Sequence, residues 1–221
     1  DVWTEYKNKA NYGPFVLKNK KWTAHPSVPK PFGNIGAIDG SFAPLEDIPY
    51  ADDDDPSSGW ISGKWNKDGP VLYKINPSTG ERDLTPDEEN AKWASKWLED
   101  NSNLEQPFFL AVGFIRPHTP LHVPQKYFDK YPLDTLQLPT ILDNDANDTL
   151  LQTVLKRTTK GYKYYDMLCE SYGDRKTALL KFTQAYLASV TFVDDCVGEI
   201  LRSIKANNLS DNTIIVFTSD H

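Results

Sequence analysis

Two unbroken apolar runs constrain the fold of this chain more than any other feature: Pro107-Phe108-Phe109-Leu110-Ala111-Val112-Gly113-Phe114 and Thr213-Ile214-Ile215-Val216-Phe217. Neither alternates polar with apolar residues, so both faces need cover, which is the pattern of a central strand in a parallel sheet. Helix signals precede each run. Thr85-Pro86-Asp87-Glu88 offers an N-cap, a proline at the first helical position and a glutamate three residues after the cap; Ala91, Trp93, Ala94, Trp97 and Leu98 follow at helical spacing. Leu179, Phe182, Tyr186, Val190, Val193, Val197, Ile200 and Ile204 recur every three or four residues and predict one long amphipathic helix, ended by Asn207, Asn208 and Asp211. The order helix, strand, long connection, helix, strand predicts an α/β layered fold with parallel neighbours.

Residues 1–84 read as a loop-rich segment packing on a core built by residues 85–221, because prolines and glycines punctuate them, densely between Pro26 and Pro56. Residues 143–177 read as loop or short helix. The 221 residues, 39% hydrophobic and 12% aromatic, suffice for a sizeable core. A formal charge of -7 argues against nucleic acid as a partner, since the phosphate term would be repulsive. No apolar stretch approaches the roughly 20 residues that span a bilayer. Asp1-Val2-Trp3-Thr4 has no signal-peptide pattern, which leaves a cytosolic protein or one whose own start lies upstream.

Chemistry gathers where the two runs end. Parallel strands deliver their carboxyl ends to one sheet edge, where α/β folds bind ligands. Arg116 and His118 after the first run, and Asp220 and His221 after the second, are therefore expected to face a common cleft. Arg presents a cationic fork to a tetrahedral oxyanion, and His donates to such an oxygen or protonates a leaving group. A metal on Asp220 and His221 would neutralise the same anion, and the set suits hydrolysis of a sulfate or phosphate ester. The plainer alternative is ordinary turn chemistry at both ends, with Arg116 paired to a surface acid.

Other polar features carry less. Asp52-Asp53-Asp54-Asp55 reads as a solvated turn rather than a calcium loop, because adjacent side chains diverge. Asp194 and Asp195 read as one helix-facing polar contact and one exposed acid. His25 and His122 have no recognisable partner. Cys169 and Cys196, 27 residues apart, fit no metal spacing and read as two thiols, with a single bridge as the other possibility. Asn147-Asp148-Thr149 and Asn208-Leu209-Ser210 match the N-glycosylation pattern, which matters only in a eukaryotic secretory protein.

The segment from Pro107 to Pro120, continued by Val123-Pro124-Gln125-Lys126-Tyr127-Phe128, resembles the middle of type I sulfatases, especially the branch similar to iduronate-2-sulfatase. Gln184 to Val190, Val193-Asp194, Val197-Gly198 and Thr213 to His221 resemble the next stretches of that family in the same order. The resemblance covers residues 85–221 well and residues 1–84 loosely. It implies an alkaline-phosphatase-like mixed, mostly parallel sheet sandwiched by helices, of which this chain holds part. It implies that His118 contacts the sulfate ester, with Arg116 in a basic position close by, and that Asp220 and His221 bind calcium.

Departures from the pattern are equally specific. The family's formylglycine comes from a Cys/Ser-x-Pro-x-Arg motif, which neither Cys169 nor Cys196 begins; formylglycine is expected in the parent but not here. The early Asp pair and the later Lys are also absent, and Gly63-Lys64-Trp65 is followed by Asn66 where the family places His. The expected whole is thus an exported, periplasmic or lysosomal sulfatase acting on a sulfated oligo- or polysaccharide or glycosaminoglycan, with this chain an internal piece, inactive alone and partnered by the remaining segments. A phosphate or phosphonate ester hydrolase of the same superfamily is one alternative. The other is a noncatalytic carbohydrate-binding fragment, in which Trp3, Trp22, Trp60 and Trp65 stack on sugar rings.

Overall fold

The computed structural model describes residues 5, 15–18, 21–23, 27–34, 40–47, 60–66, 69–72, 79–140, 142 and 160–219. In chain order the strands are β1 (Phe15–Lys18), β2 (Lys21–Thr23), β3 (Phe42–Pro44), β4 (Trp60–Asn66), β5 (Gly69–Leu72) and β6 (Leu121–Val123). The α-helices are α1 (Pro86–Asp100), α2 (Gln125–Phe128), α3 (Lys160–Tyr172) and α4 (Arg175–Ala206).

Helix α4 is the spine. Its 32 residues extend about 48 Å at 1.5 Å per residue. Gly173, at φ 76, turns the chain out of α3, a conformation that costs glycine little. Asp174 then caps α4, its carboxylate accepting the Thr177 N–H at 2.8 Å. At the far end Asn208 adopts φ 58, and the Leu209 and Asn208 N–H groups donate to the Ile204 and Lys205 carbonyls at 3.0 and 3.2 Å. These are the paired bonds of a left-handed helix stop, and buried Leu209 and Ile204 share an apolar cluster.

The buried side of α4 carries Ala178, Ala185, Ala188, Ser189, Phe192 and Cys196. Small residues allow close approach; Phe192 fills the volume between them. The Ser189 hydroxyl donates to the Ala185 carbonyl at 2.8 Å, so this polar group enters the core satisfied. Against the helix lies β6, wholly buried and paired in parallel with β3 in the register Phe42–Leu121, Ala43–His122, Pro44–Val123. Phe32, Phe42 and Phe182 meet in edge-on and tilted contacts with centroids 5.6 to 6.5 Å apart. Residues from both sides of position 84 therefore build this core. The Phe32 N–H also donates to the Ser171 hydroxyl of α3 at 2.7 Å.

The α/β class holds, with helices packed on a parallel pair. The larger sheet is antiparallel, in the order β2-β1-β4-β5, and β3 pairs with β6, so among the described residues the segment read as loop-rich contains five paired strands. The central-strand expectation for 107–114 and 213–217 is corrected: neither run is paired in a sheet among the described residues. In 107–114 the cover alternates, with Phe108, Leu110, Val112 and Phe114 half-buried and Phe109 80% exposed. Ile214, Val216 and Phe217 are each more than 80% exposed. An apolar run states how much cover a segment needs; it cannot supply the neighbour whose backbone makes it a strand. Within the stretch read as loop or short helix, α3 is a 13-residue helix.

Helix α1 starts as expected. Glu88 accepts the Thr85 N–H at 2.8 Å while its own N–H donates to the Thr85 hydroxyl at 3.4 Å, and Arg82 clasps the carboxylate with two bonds of 2.6 and 2.7 Å. Burial alone would raise the Glu88 carboxyl, but the Arg82 fork and the Thr85 donors outweigh it and hold it below the usual carboxylate range. The unfolded chain therefore takes up this proton first as pH falls. The stabilisation is complete above the unfolded value and lost as pH drops through the lower folded one. Glu88→Gln should lower stability at neutral pH by about 1 kcal/mol and remove part of the acid-side slope, as read by urea unfolding between pH 3 and 7.

Candidate active site

Two buried oxygens on α1 hold the turn that follows the first apolar run. Asp87 is 2% exposed; its Oδ1 accepts the Ile115 N–H at 2.7 Å and its Oδ2 the Arg116 N–H at 3.1 Å. The Ile115 carbonyl then accepts the His118 N–H at 2.9 Å, and the Leu121 N–H donates to the Ser41 carbonyl at 2.9 Å as the chain enters β6. The Arg116–Pro117 and Thr119–Pro120 peptide bonds within this turn are cis. The Asn90 side chain adds a bond to the Gly113 carbonyl at 3.1 Å.

The two site side chains separate. Arg116 is 4% exposed; burial pulls its pKa down, opposed by the charge of Asp87 and then Cys196. A guanidinium stays protonated through such a shift, so a cation lies beneath the turn. His118 is exposed, and its Nδ1 is 2.7 Å from the Thr119 carbonyl. A carbonyl only accepts, so Nδ1 carries the hydrogen of this bond. Asp220 and His221 lie outside the described residues, as do His25, Asp52 to Asp55 and Trp3. Among the described residues no three His, Cys, Asp or Glu side chains gather as a metal centre.

Cys169 and Cys196 are free thiols. Burial first, then the charges of Asp87, Glu88, Glu199 and Asp195, push the Cys196 thiol up, so it stays protonated and unreactive. Asp195 makes the polar contact expected of one of its pair, accepting from the Tyr127 hydroxyl at 2.8 Å, and both Asp194 and Asp195 are exposed. Burial, reinforced by Asp195, raises the Tyr127 hydroxyl beyond its ordinary range.

Two residues escaped sequence reasoning. Asp87 left one signal: Thr85 and Glu88 already complete the helix cap, so a third polar residue in that turn is available for another task. His122 left none. It is fully buried, with Nδ1 donating to the Ala43 carbonyl at 3.0 Å and Nε2 hydrogen-bonded to the Ser41 hydroxyl 2.8 Å away. The imidazole thus ties β6 to β3 through side chain as well as backbone. His122→Ala should cost roughly 2–4 kcal/mol, from lost hydrogen bonds and a new cavity, seen as a lower urea midpoint.

The family model described as Sulfatase matches residues 26–221. A Sulfatase of Formosa agariphila is 41% identical over 141 residues, covering 62% of this chain and 26% of that protein. Iduronate 2-sulfatase of Mus musculus is 33% identical over 141 residues, 62% of this chain and 25% of its own length. Arylsulfatase of Clostridium perfringens is 32% identical over 116 residues, 52% of this chain and 22% of its own. The chain spans about a quarter of the length of these curated relatives.

Proposed function

Since this chain belongs to the Sulfatase family, we propose that the protein carrying it hydrolyses sulfate esters of a sulfated carbohydrate, a polysaccharide or a glycosaminoglycan. The family match across residues 26–221, which includes the turn bearing an exposed His118, carries this reading. The sugar class follows the mouse relative, whose name specifies iduronate.

In this reading the His118 ring meets the ester through Nε2, because Nδ1 is committed to the Thr119 carbonyl. As imidazolium it donates to an ester oxygen, and it gives up the proton when the alcohol departs. Arg116, buried beneath, adds a fixed positive field that favours an anionic group at the turn. Direct contact between its guanidinium and the sulfate is part of the proposal. Calcium on Asp220 and His221 is proposed from the family alone; the described residues do not assemble its site, and the proton step at His118 does not depend on it. A formylglycine nucleophile would come from the rest of the parent protein, since Cys196 is buried and Cys169 lies within α3. An exported or lysosomal location and partnership with the parent's remaining segments complete the reading. Among the described residues no helix is long and apolar enough to cross a membrane.

Full-length protein should release sulfate from aryl sulfates and from sulfated oligosaccharides, measured by ion chromatography. Phosphate release from aryl phosphates without any sulfate release would overturn the reading. His118→Ala should lower kcat by roughly 10²- to 10⁴-fold while far-UV circular dichroism stays unchanged. Asp220→Ala should lose bound calcium by elemental analysis and melt earlier than the parent, because a metal bound only to the native state stabilises it.

A further inference from the structure

Hydrogen bonds lead from the first turn of α1 to the backbone of His118, whose ring is bonded separately to the next residue. They run from the Asp87 carboxylate to the Ile115 and Arg116 N–H groups and from the Ile115 carbonyl to the His118 N–H; His118 Nδ1 bonds the Thr119 carbonyl. Asp87 is in effect fully buried, and a buried carboxylate is costly unless hydrogen bonds and opposite charge compensate it. Here both oxygens are engaged by successive amides and the Arg116 cation lies near. Nothing in the helix cap requires this charge, since Thr85 and Glu88 perform that task.

We infer that Asp87 is the positioning residue of the site: it fixes the Arg116–His118 turn on α1 and thereby sets the orientation and tautomer of the His118 imidazole. This rests on the reading of His118 as a substrate-contacting residue. The two amides are adjacent, so a carboxylate holding both fixes the direction of the peptide plane between Ile115 and Arg116. That direction sets where the Ile115 carbonyl points, and so where the His118 backbone is anchored. An amide in place of the carboxylate has one acceptor oxygen only; its NH₂ would face a backbone N–H. The turn would lose one anchor and Arg116 its nearby negative charge.

The test uses full-length protein with Asp87→Asn and Asp87→Glu. Glutamate retains the charge but displaces the oxygens by one methylene, and it serves alone if the asparagine variant does not fold. Both variants should lose about 10- to 100-fold in kcat on an aryl sulfate, with KM changed less than about threefold, as expected for a misplaced catalytic group. Ring ¹⁵N shifts of His118 should show the Nδ1–H tautomer in the parent and a mixture with Nε2–H in the variants. A purely structural Asp87 would lower the melting temperature and leave kcat and the tautomer unchanged; that result overturns the inference. Parent protein inactive on every sulfate ester would sink the functional reading instead. The ¹⁵N comparison then decides the positioning role by itself: a shifted tautomer supports it and an unchanged one overturns it.

Discussion

Close approach to the small-residue face of α4 is the constraint on which the rest of the described structure depends. Ala178, Ala185 and Ala188 are completely buried, so backbones meet there with little side chain between them, while Phe192 packs edge-on to Tyr127 at 5.4 Å. Interiors packed to this density transmit position. Fixing α4 fixes β6 and α1, and the turn from Arg116 to Pro120 joins those two elements. A larger residue at Ala185 or Ala188 would have no room in this buried face and would disturb the packing of the elements against α4.

Local signals were the legible part of the fold. The α1 start was readable from four residues because capping is settled within one turn; the long helix and its Asn207–Asn208 end were readable because period and stop are likewise local. Strand identity was not. Phe109 and Ile214 belong to runs that look buried on both faces, yet both are largely exposed, because a strand is defined by a neighbour distant in sequence. The antiparallel sheet spanning Phe15 to Leu72 was hidden by prolines and glycines that punctuate hairpins as readily as loops. Helix α3 was masked by a polar composition carrying only one fully buried residue, Leu168.

The site divides in the same way. Arg116 and His118 were readable as chemistry from residue type and from family resemblance, but their opposite environments were not. Two residues apart beside prolines, their directions depend on backbone angles that the sequence does not state. Asp87 shows the harder case. Its role is visible only once Ile115 and Arg116, 28 and 29 positions away, are brought to it. His122 had no partner recognisable in the sequence and is a clamp between strands, its two ring nitrogens taken by a carbonyl and a hydroxyl.

Ile200 packs against both apolar clusters, the one around Phe192 and the one formed by Leu98, Ile204 and Leu209. A single rod shared by two clusters makes them thermodynamically dependent: neither can open without removing part of the other's support, so they behave as one cooperative unit rather than two. The site turn, anchored by Asp87 on α1 and continuing into β6, is attached to both ends of that unit. Loosening either cluster would therefore loosen the support of the turn as well.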